Sequence, residues 1–208
     1  IKSYHTQSGC EMAIPGDSGK IAPKMIARGL PKKGRVMRLL PLAALFIAVS
    51  TAASAATTWF PFKDPNGAFT VEVPGTPTVS TDNTNKGPDG TVVPTTTYEA
   101  SGPPDVAIAI TDFSKMQYDA GKGIDGGVAA IKEDAVSIQL DQISVLDGQV
   151  GHEVAYVDKD GNHVDDRLYF FQDRLYQVLA VTPNDATADD VAQGQHFLAS
   201  FHFTPSKT

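Results

Sequence analysis

The chain has 208 residues with 17 Lys/Arg, 24 Asp/Glu, one Cys and 41% hydrophobic residues, an ordinary globular composition that suits a single domain. Its formal charge of −7 hides an uneven distribution: residues 1–55 hold 8 Lys/Arg and 2 Asp/Glu, and residues 56–208 hold 9 and 22. The acidic part, at −13 with its basic residues scattered, excludes a phosphate-backbone partner, so no nucleic acid is expected.

Residues 1–24 mix Gly, Pro, Lys and Ser without a sustained period, and residues 1–36 read as an upstream segment, disordered or read-through. Residues 37–55 read as a signal peptide: Met37-Arg38, then Leu39 to Val49 without a charge, then Ala53-Ser54-Ala55 in the A-x-A pattern. Cleavage after Ala55 is expected, from a start at Met25 or Met37, leaving residues 56–208 as the mature domain. The apolar run is short of the roughly 20 residues that span a bilayer, so no stable membrane span is expected after cleavage. The lone Cys10 precedes the cleavage point, which excludes a disulfide, a thiol nucleophile and a Cys-based metal site in the mature protein.

Within residues 56–208, Phe69, Val71 and Val73 alternate with Thr70 and Glu72 as in a half-buried strand ended by Pro74-Gly75. Thr76 to Asn85 is polar and reads as a loop, followed by a strand from about Thr91 to Ala100, placed at a sheet edge because Pro94 cannot donate to a ladder. Val106, Ile108 and Ile110 alternate with Ala107, Ala109 and Thr111, a strand apolar on both faces and therefore covered. Ile124, Val128, Ile131, Ala135 and Ile138 fall on one helical face, with Asp125 as the N-cap. Strands follow at Gln142–Leu146 and Gly151–Val157, joined at Asp147-Gly148, with Gly151 expected at a bulge or bend. Asp160-Gly161 signals a hairpin. Val164–Phe171 and Arg174–Val181 are two long strands joined around Gln172-Asp173. A last helix has Thr187 as N-cap, Asp189 and Asp190 in its first turn, and Val191, Leu198 and Phe201 on its buried side. This order describes an α+β domain, a largely antiparallel sheet of about six or seven strands covered by two main helices.

The stretches Leu146-Asp147-Gly148 through Gly151-His152-Glu153, Arg174-Leu175-Tyr176-Gln177-Val178-Leu179-Ala180-Val181 and Phe197-Leu198-Ala199-Ser200-Phe201 resemble exported bacterial proteins of the PsbP-like α/β/α sandwich type, from about Phe60 to Phe203. The resemblance implies a small, generally non-enzymatic accessory or binding domain. Photosynthetic relatives assist an oxygen-evolving complex, and no metal-binding or partner-binding residue of theirs matches a position here.

Several motifs bear on chemistry. Gly16-Asp17-Ser18-Gly19 spells a serine-protease nucleophile loop, but in the leader, and the mature chain has no G-x-S-x-G elbow. Gly121, Gly123 and Gly126 satisfy G-x-G-x-x-G before a helix, with Asp141 downstream, yet the context is not a βαβ unit. An anion resting on that helix N-terminus is the residual reading. Asp158, Asp160, Asn162 and Asp165, with Asp166 and His163 beside them, place oxygen ligands at a spacing that opens a calcium loop. His163 and Tyr169 stand where such a loop needs Gly and Glu, so a solvated hairpin with weak calcium binding at best is expected. His152, His163, His196 and His202 share no ligand spacing. Tyr169, Phe170, Phe171 and Tyr176 read as core plus one sheet face.

These readings combine into an exported, soluble, monomeric, periplasmic or secreted domain that is not an enzyme and needs no cofactor. Its partner would be an unidentified envelope protein or small ligand. The alternatives are a metal-dependent or hydrolase-like enzyme using the Asp158–Asp166 hairpin, and a metal-buffering envelope protein with many weak acidic sites. Convergence of Asp or His side chains in a pocket would discriminate them.

Overall fold

The structure, a computed structural model, describes residues 57–87, 89–102 and 104–205. The upstream segment, the signal peptide with its Ala53-Ser54-Ala55 pattern, Cys10 and the Gly16-Asp17-Ser18-Gly19 loop all lie outside the described residues. The elements in chain order are β1 (Phe60–Lys63), β2 (Phe69–Val73), β3 (Thr78–Asp82), β4 (Thr95–Ala100), β5 (Asp105–Asp112), α1 (Ala120–Asp134), β6 (Ser137–Leu146), β7 (Gln149–Val157), β8 (His163–Phe171), β9 (Arg174–Thr182), α2 (Ala188–Ser200) and β10 (His202–Phe203). Seven strands form one sheet in the order β3-β4-β5-β9-β8-β7-β6, and β1-β2-β10 form a second, smaller one. Every pairing is antiparallel.

Side-chain alternation divides the large sheet into two faces, and each has its own core. Val106, Ile108 and Ile110 of β5 with Tyr176, Val178 and Ala180 of β9 meet Phe197, Leu198 and Phe201 around α2 and Phe69, Val71 and Phe203 of the small sheet. The opposite parity sends Ala107, Leu168, Leu175 and Leu179 to Val128 and Ile131 of α1. The result is an α+β fold of three layers: α1, the seven-stranded sheet, then α2 with the small sheet. Each large side chain enclosed in this way, such as Phe69, Phe197, Ile131 or Leu168, contributes roughly 1.5–3 kcal/mol of transfer free energy. Among the described residues no helix is long and apolar enough to cross a membrane.

The strand with the two-sided apolar pattern, β5, lies inside the sheet beside β9, and the tight connections follow their residues. Asp147-Gly148 and Gln172-Asp173 each hold two consecutive positive φ angles, the mirror-image turn whose twist matches paired strands. Elsewhere the reading from residues needs correction. Thr76–Asn85 is not all loop, since β3 pairs with β4 from Thr78↔Glu99 to Asp82↔Thr95. Its side chains are almost all exposed, so no apolar alternation marks it. With β3 outside it, β4 is not an edge strand, and Pro94 sits just before its first residue.

Helix α1 starts earlier and stops earlier than its periodicity suggests. Its N-cap is Asp119, whose carboxylate accepts from Lys122 N, not Asp125, and it closes at Ala135. Ile138 already belongs to β6. Helix α2 has the expected Thr187 cap, with Asp190 completing a capping box, but Val191 is 46% exposed and Gly194, Phe197 and Leu198 form the buried face. Gly151 marks close approach, not a bulge: a Cβ there would lie 2.2 Å from Leu168 O and 2.3 Å from Tyr169 Cδ1. The irregular register falls instead in β6, between Ile138 and Leu140.

Candidate functional site

A cavity of about 110 Å³ lies between the β1–β2 turn and strands β4, β5 and β9, lined among others by Asp64, Thr96, Tyr98, Asp112, Arg174 and Tyr176. Asp64 is placed there by Asp64-Pro65-Asn66-Gly67, a run of turn formers in which Gly67 takes φ +74°. Its Oδ2 accepts from the Asn66 and Ala68 amides, each at 3.1 Å, and its Oδ1 from Tyr98 Oη at 3.2 Å. This side-chain-to-backbone closure suits Asp at the first position of a turn. Asp64 is only 3% exposed.

Asp112 and Arg174 meet because β5 and β9 bring them opposite each other, with Arg174 Nε 3.2 Å from Asp112 Oδ2. Burial pushes the Asp112 carboxyl up, but the Ser114 hydrogen bonds and the Arg174 guanidinium outweigh it and hold the group below the usual carboxylate range. Tyr176 is fully enclosed, and its Oη has no partner in hydrogen-bond geometry. Burial raises its phenol; the Arg174 side chain, near the hydroxyl but outside that geometry, partly offsets the rise, and the Asp64 and Asp112 carboxylates reinforce it. For Tyr98, burial and then Asp64 push the phenol up. Both phenols therefore stay protonated at neutral pH.

The acidic hairpin is organised differently. The Asp158 carboxylate accepts from Asp160 N at 2.9 Å and from Asn162 N at 2.8 Å through Oδ1, and from Asn162 Nδ2 at 2.9 Å through Oδ2. Asp158 and Asn162 are thus tied to each other in the turn, where Gly161 adopts φ +87°. Asp165 leaves the group, because β8 sends it toward α2, where Gln195 Nε2 donates to it at 3.0 Å. Burial, then the Glu153 charge, raises its pKa. Its neighbour Asp166 points to the opposite face, toward the α1 core. There Gln177 Nε2 reaches Asp166 Oδ2 at 2.6 Å, Oδ1 has no partner, and burial pushes the carboxyl up to about 7. The hairpin therefore keeps Asp158, Asp160 and Asn162 together and separates Asp165 from Asp166. Among the described residues no three His, Cys, Asp or Glu side chains are grouped so as to hold a metal ion.

The four histidines are dispersed, each with its own partner: His152 with Asp141 at 2.6 Å, His196 with Glu72 at 2.6 Å, His202 with Asp147 at 3.3 Å and His163 with Gln139 at 3.4 Å. The first pair extends to α1, since Lys132 also contacts Asp141. Gly121, Gly123 and Gly126 lie within α1 and form no phosphate loop. A Cβ at Gly123 would meet Tyr118 at 3.0 Å and Phe170 at 3.4 Å, and one at Gly127 would meet Leu168 at 2.4 Å, so the glycines at these two positions let the helix approach the sheet. The Asp119 carboxylate already occupies the helix N-terminus, which disfavours an anion there. Tyr169 and Tyr176 are core residues of the α2 face, while Phe170 stacks with Phe113 and Tyr118 on the other.

None of Asp64, Tyr98, Asp112, Arg174 and Tyr176 belongs to a catalytic or ligand motif of the sequence. The available signal is the Asp-Pro-Asn-Gly turn; the convergence depends on the pairing of β5 with β9 and the placement of the small sheet.

No family model and no curated protein matches the sequence. In structure the chain is similar to cyanobacterial PsbP (CyanoP) from Synechocystis sp. PCC 6803, with 13% identity and a TM-score of 0.47, covering 74% of this chain and 98% of that one. It is also similar to a protein of unknown function from Pseudomonas aeruginosa, with 13% identity and a TM-score of 0.37, covering 72% of this chain and 99% of that one.

Proposed function

We propose that the protein is exported, loses its leader after Ala55 and acts in the cell envelope, periplasmic or secreted, as a non-catalytic binding or accessory domain. The observation that carries the binding part is the commitment of the groups around the cavity. Asp64 is held by two amides and Tyr98, and Arg174 is paired with Asp112. No Ser, Cys or Lys nucleophile beside a general base lines the space, as a covalent hydrolytic mechanism would need. Fixed polar groups around a small, partly open pocket suit recognition of a ligand in one orientation.

Export rests on the order of charged, apolar and small residues from Met37 to Ala55. Expression with the leader in a bacterium with two membranes is expected to yield periplasmic protein beginning at Ala56 or Thr57, read by N-terminal sequencing. A product beginning near Met37 and sedimenting with membranes would overturn the localisation. The non-catalytic assignment fails if the purified protein turns over ester or phosphoester substrates and Asp158→Asn with Asp160→Asn abolishes that activity.

A further inference from the structure

We propose that the protein self-associates through β6, two copies pairing edge to edge about a two-fold axis at Ile143, in place of the monomer expected from the sequence. Among the described residues β6 is the last strand of the large sheet, so one side of its backbone pairs with β7 and the other faces outward. Chains protect such edges by shortness, Lys, Pro or bulges. β6 runs for ten residues without Lys, Arg or Pro, and its irregular register is confined to Ile138/Leu140. The opposite edge, β3, has five residues and follows directly on Pro77. A free backbone edge is filled by another extended strand, which fixes the kind of occupant.

Side chains point to which strand that is. Alternation puts Asp141, Ile143 and Val145 on the face that carries α1, beside His152 and Val150 of β7. Helix α1 lies over β7, β8 and β9, and Ile143, Val145 and Val150 are 72%, 67% and 63% exposed. Single exposed apolar residues are ordinary, but three adjoining ones beside a free backbone edge form an interaction surface. The regular stretch Leu140–Leu146 has Ile143 at its centre. In an antiparallel pair of copies about that residue, Ile143 meets Ile143, Leu140 meets Leu146, Gln142 meets Ser144 and Val145 meets Asp141. The strand is thus complementary to itself, as a two-fold interface requires, and cross-strand apolar pairs are what stabilise a sheet.

Charge permits a second copy, although residues 56–208 hold 22 Asp/Glu against 9 Lys/Arg. Each carboxylate of the β6–β7 hairpin has a basic side chain of its own chain beside it: Asp141 has Lys132 and His152, Asp147 has His202, and Glu153 has Arg167. The Asp141 side chains of the two copies lie four residues apart along the pair, about 14 Å at roughly 3.4 Å per residue. That exceeds the Debye length of about 8 Å at physiological salt. A contact of one strand is smaller than the roughly 800 Å² per partner of a standard interface, so association is reversible, with a dissociation constant no tighter than roughly 1 μM.

The test uses the protein recovered after export of a chain carrying Cys10→Ser, so that an introduced cysteine is the only one. Sedimentation equilibrium is expected to show a mass that rises with concentration from one chain toward two. Ile143→Lys removes the central apolar pair and sets like charges opposite each other. Its side chain is exposed in the single chain, so the fold is expected to survive while the dissociation constant rises at least about tenfold. After reduction and then mild oxidation, Ile143→Cys is expected to cross-link to its own copy at least about tenfold faster than Val79→Cys. Directly opposed residues have Cα atoms about 4.5–5.5 Å apart, within disulfide reach, whereas Val79, 59% exposed, stands at the other edge. The cross-link keeps the proposal testable should Ile143→Lys fail to fold. A single chain at every concentration up to roughly 1 mM overturns the pairing and leaves the edge to a strand of a different protein. Association unchanged by Ile143→Lys, or faster cross-linking of Val79→Cys, overturns the place of the contact. Association lost in Ile143→Lys without preferential cross-linking of Ile143→Cys overturns the two-fold register.

Discussion

Replacing Asp166 by Asn should change how stability depends on pH, by an amount the structure sets. Asp166 lies on β8 opposite Val154 and Leu179, is fully buried, and accepts from Gln177 Nε2 through Oδ2 while Oδ1 has no partner. Burial pushes its carboxyl up to about 7, from an ordinary value of 3.8. In the folded protein it therefore holds a proton between about pH 4 and 7 that the unfolded chain has released. Its contribution to stability is full below about pH 4, declines as pH rises through this window, and stays low above about 7, where both states are ionised. A shift of about three units corresponds to roughly 4 kcal/mol, lost at about 1.4 kcal/mol per pH unit.

The Asp166→Asn variant would keep the acceptor for Gln177 and the shape of the side chain while removing the ionisation. Urea denaturation of both proteins at pH 4, 5, 6, 7 and 8 gives the difference between them, from which the titration of every unaltered group cancels. The variant should gain on the parent by roughly 4 kcal/mol between pH 4 and 8, mostly before pH 7. A difference that stays constant within about 0.5 kcal/mol over this range would show that Asp166 is ionised throughout, and that an unseen partner reaches Oδ1.

Three other expectations follow from single contacts. Gly151→Ala places a methyl group against the Leu168 carbonyl and the Tyr169 ring and should destabilise the protein by about 1–3 kcal/mol or more, read as a lower denaturation midpoint with unchanged slope. Thr187→Ala removes the capping box of α2, in which Asp190 N donates to Thr187 Oγ1 at 3.3 Å, for a loss of about 0.5–2 kcal/mol by the same assay. We also propose that the Asp158–Asp166 hairpin binds calcium weakly: calorimetric titration should give a dissociation constant no tighter than roughly 0.1 mM, abolished in Asp158→Asn with Asp160→Asn. Micromolar binding would refute the weak site.

The parts of the fold legible in the sequence are those where burial imposes a period. Val106 to Ile110 and Leu175 to Ala180 are apolar on both faces because each face packs into a core, and they lie side by side in the middle of the sheet. Where burial is absent the period vanishes: β3 is a run of Thr, Val, Ser and Asp exposed on both sides, held by backbone bonds to β4 that any residue can make. The extent of α1 departs from its apolar spacing for the converse reason. Its contact with the sheet is made by Gly123 and Gly127 as much as by Val128 and Ile131, so the apolar count understates the buried face, and Ala135 and Ile138 continue the spacing by coincidence into the next strand.

Site legibility follows the same logic, with topology in place of periodicity. A cluster of acids close in sequence points to Asp158–Asp166, yet consecutive strand residues point to opposite faces, and Asp165 and Asp166 end on different sides of a sheet with a core on each. The Asp158 carboxylate is used within its own turn. The cavity groups are separated by as many as 112 residues, from Asp64 to Tyr176, and no local pattern could unite them. Asp64 sits at the top of a turn in the small sheet, whereas Asp112 and Arg174 occupy one register position of the large sheet. Their meeting requires the β1–β2 hairpin to fold over strands β4, β5 and β9, which is also what encloses Tyr176. The layer that completes the α2 core is thus the layer that forms one wall of this partly open polar pocket, so a change that loosened the packing of Phe69 on Phe201, whose rings stack with centroids 5.1 Å apart, would shift that wall and alter the pocket together with the core.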